Sequence, residues 1–206
     1  MRARGGALRL GTALAVVVAT VSPAGAEPPA GGPPLEERLR GCAGCHGADG
    51  NSTQEGIPSL AGQPETFIVT QLILFREGLR SSEQMEPQTE GLDDNTVLAI
   101  AAHFAALTPR SSSGPADPDL MARGRVLART GRCDQCHLPD FSGRAQIPRL
   151  AGQREDYLVA ALTAYRDDER GGADTTMIDV MYDMSDTEIR ALAHFLSRQV
   201  PQARAQ

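Results

Sequence analysis

The apolar positions of this chain recur at helical spacing, and they do so twice in the same order. Phe67, Ile68, Leu72 and Phe75 fall on one helix face, and Tyr157, Leu158, Leu162 and Tyr165 repeat them 90 positions later. Val97, Ile100, Ala101 and Phe104 form a further stripe, with Asp93 or Asp94 placed to cap its start and Pro109 to stop it. Its counterpart is Ile189, Leu192, Ala193 and Leu196, opened by a Ser185/Glu188 capping box and stopped by Pro201. A helix is also expected ahead of each set. The second has a full approach, Leu120 to Thr130, whereas the first has only Leu35 to Arg40 behind Pro33 and Pro34. Proline suits a first turn and not a helix interior, so the opening helix is predicted to be short. No strand signal competes, and the predicted fold class is all-α.

The repetition extends to loops. Ile57-Pro58-Ser59-Leu60-Ala61-Gly62-Gln63 returns as Ile147-Pro148-Arg149-Leu150-Ala151-Gly152-Gln153. Two copies of one unit of roughly 80 residues are implied, each near the small end of domain size. Between them, residues 109–118 are rich in Pro, Ser and Gly, a composition that reads as a linker. The predicted domains are 27–108 and 119–206.

Both units open on the same cysteine pattern. Cys42-Ala43-Gly44-Cys45-His46 recurs as Cys133-Asp134-Gln135-Cys136-His137, and together these use all 4 cysteines of the chain. Cys-x-x-Cys-His reads as a c-type haem attachment site, because two thiols one helical turn apart can form thioethers with one porphyrin. The histidine is then held against the iron as an axial ligand. Zinc is a poorer reading, since the two pairs stand far outside the roughly 12 to 20 residue spacing of short zinc modules. A thioredoxin-like pair would need a preceding strand and gives the histidine no task. The expectation is two covalently attached haem c groups, one in each domain.

Composition agrees with such a cofactor. Aromatic residues make up 4% with no Trp, thin for two cores of this size, and small domains often need a metal or other staple. Residues 1–26 resemble an export signal, with Arg2, Arg4 and Arg9 before an apolar run from Leu10 to Val21 and small residues at Ala24-Gly25-Ala26. That run is shorter than the roughly 20 residues of a bilayer span, so cleavage and a soluble periplasmic protein are expected. Every basic residue is arginine, and the mature chain would carry 17 of them against 26 acidic residues. An acidic balance without a basic stripe argues against nucleic acid and allows steering toward a basic partner.

The sixth iron ligand decides the chemistry, because closed six-coordinate iron mainly exchanges electrons whereas an open site binds exogenous molecules. Met85 is the one methionine of the first unit after its haem motif, and it is taken as the ligand. The second unit offers Met177, Met181 and Met184. Carrying Met85 forward by the offset of 92 that aligns the final helices selects Met177, with Met181 the alternative and Met184 a packing residue. His103 and His194 are not equivalent positions and read as packed or partly exposed helical histidines.

At Cys42 to Ser52, at Pro58 to Gln63 and Pro148 to Gln153, and in its late methionines, the chain resembles the dihaem class I cytochromes c called cytochrome c4. The resemblance covers essentially the whole mature chain. It implies two tandem cytochrome c-like domains related by an approximate twofold, with the haems near each other. It further implies that the carbonyls of Pro58 and Pro148 accept from the ligand histidines, and that Gly124 lies where first and last helices cross. The first domain has Pro33 at that place, and Leu138-Pro139-Asp140 replaces the Gly-x-Asp of the first motif. The function implied is an electron carrier between respiratory partners, a quinol-oxidising complex and a terminal oxidase or reductase, with no bond chemistry. The alternative is a cytochrome subunit bound to a flavoprotein sulfide dehydrogenase or an alcohol dehydrogenase. A dihaem peroxidase or thiosulfate-oxidising enzyme would require an open or unusual iron site.

Overall fold

A computed structural model describes residues 32–111, 114–170 and 175–201. The export segment expected over residues 1–26 lies outside them. Among the described residues the chain is helical, with one isolated bridge between Arg144 and Ile147 and no strand.

The first half contains α1 (Leu35–His46), α2 (Glu65–Arg76), α3 (Glu86–Thr89) and α4 (Asp94–Ala106). Helix α1 does not stop at Arg40 but runs through the cysteine motif, tolerating Gly41 and Gly44; Gly47, at φ 88°, ends it. Asp93 caps α4 as expected, accepting from the Thr96 N–H at 2.9 Å. Ile68 and Leu72 of α2 and Val97, Ile100 and Phe104 of α4 are buried together in one core.

The second half contains α5 (Pro118–Thr130), α6 (Cys133–His137), α7 (Glu155–Arg166), α8 (Thr176–Met181) and α9 (Asp186–Ser197). Pro118, placed in the linker by its composition, is the first residue of α5, with Asp117 accepting from the N–H groups of Asp119 and Leu120. Arg132, in the left-handed conformation, separates α5 from α6, so the second cysteine motif forms its own short helix. The Ser185/Glu188 capping box opens α9, the Ser185 N–H donating to Glu188 at 3.0 Å. At Gly124 of α5, an added Cβ would lie 2.1 Å from the Ala191 carbonyl oxygen of α9, so the two helices cross there in contact. In the first half α1 begins only after Pro33 and Pro34, and among the described residues it meets α4 less extensively than α5 meets α9.

The departure after the second motif has a structural cost. Leu138 takes φ 70° and ψ 159°, a region nearly reserved for glycine, where the first half has Gly47 at φ 88° and ψ 145°. The backbone path is therefore kept while the residue suited to it is not.

Candidate functional site

Each half holds one buried histidine at the end of its cysteine motif. His46 is 6% and His137 5% exposed, and each ring Nδ1 lies 2.8 Å from a proline carbonyl, Pro58 and Pro148 respectively. A carbonyl only accepts, so Nδ1 carries the hydrogen and the Nε2 lone pair is left for a metal. Burial pushes both imidazole pKa values down, more than the carbonyl bonds raise them, which keeps both rings neutral. A neutral imidazole oriented through its far nitrogen is the form that ligates. His46 is also held edge-on to Phe104 of α4, with ring centroids 6.4 Å apart.

The thiols stand in matching surroundings. Cys42 and Cys133 are half-buried, Cys45 and Cys136 are exposed, and all four are free. Burial pushes the Cys42 and Cys133 thiols up. Cys42 borders the first core, and so does Met85; Cys133 borders the second, and so does Met177. A cavity of about 230 Å³ is lined by Cys42, Pro87, Gln88 and Leu92. In each half one thiol and one thioether thus border the same core, and with the oriented histidine they make a donor set that fits a covalently attached haem.

The methionines are distinguished by their local frames. Met85 precedes α3, its N–H bonded to the Ser82 carbonyl at 3.1 Å and hydroxyl at 3.2 Å, while buried Thr89 returns a hydroxyl bond to the Met85 carbonyl at 3.2 Å. At the offset of 92, Thr89 corresponds to Met181, which is 1% exposed and belongs to the second core. Met177 and Met85 instead both sit partly buried at the core's edge. Met184 also borders the core, and its carbonyl accepts from Arg166 as the Leu92 carbonyl accepts from Arg76.

The remaining histidines have other tasks. Both nitrogens of His194 are engaged, Nε2 accepting from the Asp117 N–H at 2.9 Å and Nδ1 meeting Glu155 at 3.1 Å. It ties the start of α5 to α7 and α9. His103 is exposed and stacks edge-on to Phe104.

Sequence reasoning did not single out the residues that join the halves. The Ser59 N–H donates to Gln153 Oε1 at 2.8 Å and the Gln153 amide donates to the Ser59 carbonyl at 2.9 Å. The same exchange runs in reverse: the Arg149 N–H donates to Gln63 Oε1 at 2.9 Å, and the Gln63 amide to the Arg149 carbonyl at 3.0 Å. Each glutamine therefore grips the residue following the proline that orients the other half's histidine. The signal was present in the repeated heptapeptide, whose last residue is glutamine both times.

The cytochrome c family model matches residues 121–199. A cytochrome c4 of Pseudomonas aeruginosa is 34% identical over 166 residues, 75% of this chain and 82% of the relative. A thiosulfate dehydrogenase electron acceptor of Thiomonas intermedia is 31% identical, over 77% of this chain and 78% of its own. The crystal structure of reduced recombinant cytochrome c4 from Pseudomonas stutzeri superposes with a TM-score of 0.72 at 30% identity, covering 81% of this chain and 98% of that one.

Proposed function

Because the chain belongs to the cytochrome c4 family, we propose that it shuttles single electrons in the periplasm through two low-spin haems, each ligated by one histidine and one methionine. It is an electron carrier and not an enzyme, built as two tandem cytochrome c folds with covalently attached haem. When bound, the haem iron supplies one-electron exchange. The chain supplies the frame. Cys42 and Cys45 would anchor the first haem and Cys133 and Cys136 the second; His46 with Met85, and His137 with Met177, would close the two irons.

The observation that carries this reading is the oriented histidine in each half, its Nδ1–H given to Pro58 or Pro148 and its Nε2 left free. That bond fixes the ring and raises the basicity of the ligating nitrogen. A thioether opposite it favours the ferrous state. The test is Met85→Ala, which is expected to open the first iron to carbon monoxide and lower its potential while leaving both thioether bonds intact. An unchanged spectrum and potential would remove Met85 from the ligand set.

A second reading is favoured by the likeness to thiosulfate dehydrogenase electron acceptors, and it makes the chain the cytochrome partner of a periplasmic dehydrogenase. A likeness to the cytochrome subunit of a sulfide dehydrogenase, over 34% of this chain, supports the same class. Size-exclusion chromatography of the native protein separates the two readings. A free carrier elutes alone, and a subunit travels with its catalytic chain.

A further inference from the structure

In each half one peptide unit carries two hydrogen bonds at once. The Pro58 carbonyl accepts from His46 Nδ1–H at 2.8 Å, and the N–H of the same peptide unit, that of Ser59, donates to Gln153 Oε1 at 2.8 Å. The Pro148 carbonyl accepts from His137 Nδ1–H at 2.8 Å, while the Arg149 N–H donates to Gln63 Oε1 at 2.9 Å. Histidine, peptide and glutamine form one continuous chain, and each chain ends on a side chain of the other half. The amide orientations are fixed, because Nε2 of Gln153 donates to the Ser59 carbonyl at 2.9 Å and Nε2 of Gln63 to the Arg149 carbonyl at 3.0 Å, and a carbonyl only accepts. Gln153 Oε1 also accepts from the Arg154 N–H at 2.9 Å.

Both chains lie out of water, with Ser59, Arg149, Gln63 and Gln153 all buried. In such a low-dielectric interior successive hydrogen bonds polarise one another, by roughly 10–30% per bond. A peptide unit transmits that polarisation well, because resonance couples its nitrogen to its carbonyl. Donation from the N–H to glutamine draws electron density onto the proline carbonyl oxygen, which then accepts more strongly from the imidazole. A stronger bond at Nδ1 makes Nε2 a better donor to a metal.

We propose that Gln63 and Gln153 are crossed tuning residues: Gln153 of the second half strengthens His46 as a ligand, and Gln63 of the first half strengthens His137. This rests on the reading of both histidines as iron ligands given above. Hydrogen bonding around an axial ligand is one of the means by which a protein sets a haem potential, and a more basic axial nitrogen favours ferric iron. Each half therefore holds down the potential of the other half's haem for as long as the seam between them is closed. The glutamines touch neither iron nor ligand; they act through the Pro58–Ser59 and Pro148–Arg149 peptides and are positioning residues.

The test is a redox titration of the full holoprotein followed by NMR, with the amides of Cys45 and His46 reporting the first haem and those of Cys136 and His137 the second. Gln153→Leu should raise the first potential and leave the second in place, and Gln63→Leu should do the converse. The expected shift is about threefold in the ferric/ferrous ratio at fixed potential, or about 28 mV for a one-electron couple in which tenfold is about 59 mV. In the reduced protein the Nδ1–H resonance of the opposite half's histidine should move upfield as its bond weakens. Gln153→Glu, which keeps an acceptor oxygen and serves if the leucine variants do not fold, should instead move the His46 Nδ1–H downfield; an unmoved resonance there overturns the tuning. A merely structural role would loosen the seam, lower the melting temperature and admit water, which favours ferric iron. Falling or unmoved potentials in both leucine variants therefore overturn the proposal, as does a rise confined to the half that carries the substitution. Haem count and carbon monoxide response are read on the same samples. A wild type without two closed haems refutes the parent reading, whereas two closed haems with no crossed shift refute the tuning alone.

Discussion

Gly124→Ala should destabilise the second half although alanine is the better helix former. The added methyl would sit 2.1 Å from the Ala191 carbonyl oxygen and 2.5 Å from Phe195 Cβ, atoms of a neighbouring helix that no rotamer change can move. Restoring ordinary contact requires α5 and α9 to part by about 1 Å, which loosens the packing of Ala128, Leu192 and Phe195. Overpacking of this kind costs about 1–3 kcal/mol. Helix propensity returns up to about 1 kcal/mol. The expected net loss is on the order of 2 kcal/mol, and with a urea slope of about 1–3 kcal/mol/M the unfolding midpoint should fall by about 1 M. The assay is urea denaturation of the holoprotein followed by far-ultraviolet circular dichroism. An unchanged or raised midpoint would refute the close crossing.

The two candidate methionines of the second half separate cleanly. Met177→Ala should admit carbon monoxide and lower the potential, whereas Met181→Ala, which empties a core site 1% exposed, should leave the spectrum intact and cost about 2–5 kcal/mol in urea. The reverse pattern would make Met181 the ligand. Gln153→Ala strips partners from the fully buried Ser59 N–H and carbonyl, and should cost on the order of 2 kcal/mol or more in denaturation, with the halves unfolding less cooperatively. A single unshifted transition would show that the glutamine exchange does not hold the seam. Acid should loosen the same seam. Burial raises the Asp156 carboxyl, but Arg154 and the Gly56 N–H together hold it below the ordinary carboxylate value. A depressed folded pKa contributes stability above the unfolded value and loses it as pH falls through the folded one, so the loss begins below about pH 4. Asp156→Asn should flatten that acid limb of a melting-temperature profile, and an unaltered limb would place the acid sensitivity elsewhere.

Much of the fold was legible because its signals are local. The stripes at Ile68/Leu72, Val97/Phe104, Leu158/Leu162 and Ile189/Leu196 are buried as their spacing requires, and the Asp93 and Ser185 caps sit at helix starts. The Gly124 crossing also follows from the family resemblance. What escaped was set by context. Helix α1 continues through Cys42 to His46, whereas Arg132 at φ 53° separates α5 from the second copy of the motif, and the residue type does not announce the difference. Helices α3 and α8 are too short to leave a periodic signature. The Gln63 and Gln153 exchange depends on how two similar halves meet, which no pattern within one half encodes. His194 was read as a packed helical histidine, and the structure adds its two partners, Asp117 and Glu155.

The most direct measurement is an oxidised and reduced visible spectrum of the native protein, with a haem count per chain and a carbon monoxide challenge. Two low-spin haems per chain that ignore carbon monoxide are the predicted result. A single haem, or a carbon monoxide response from either one, would contradict the account of two irons closed by His46 with Met85 and by His137 with Met177.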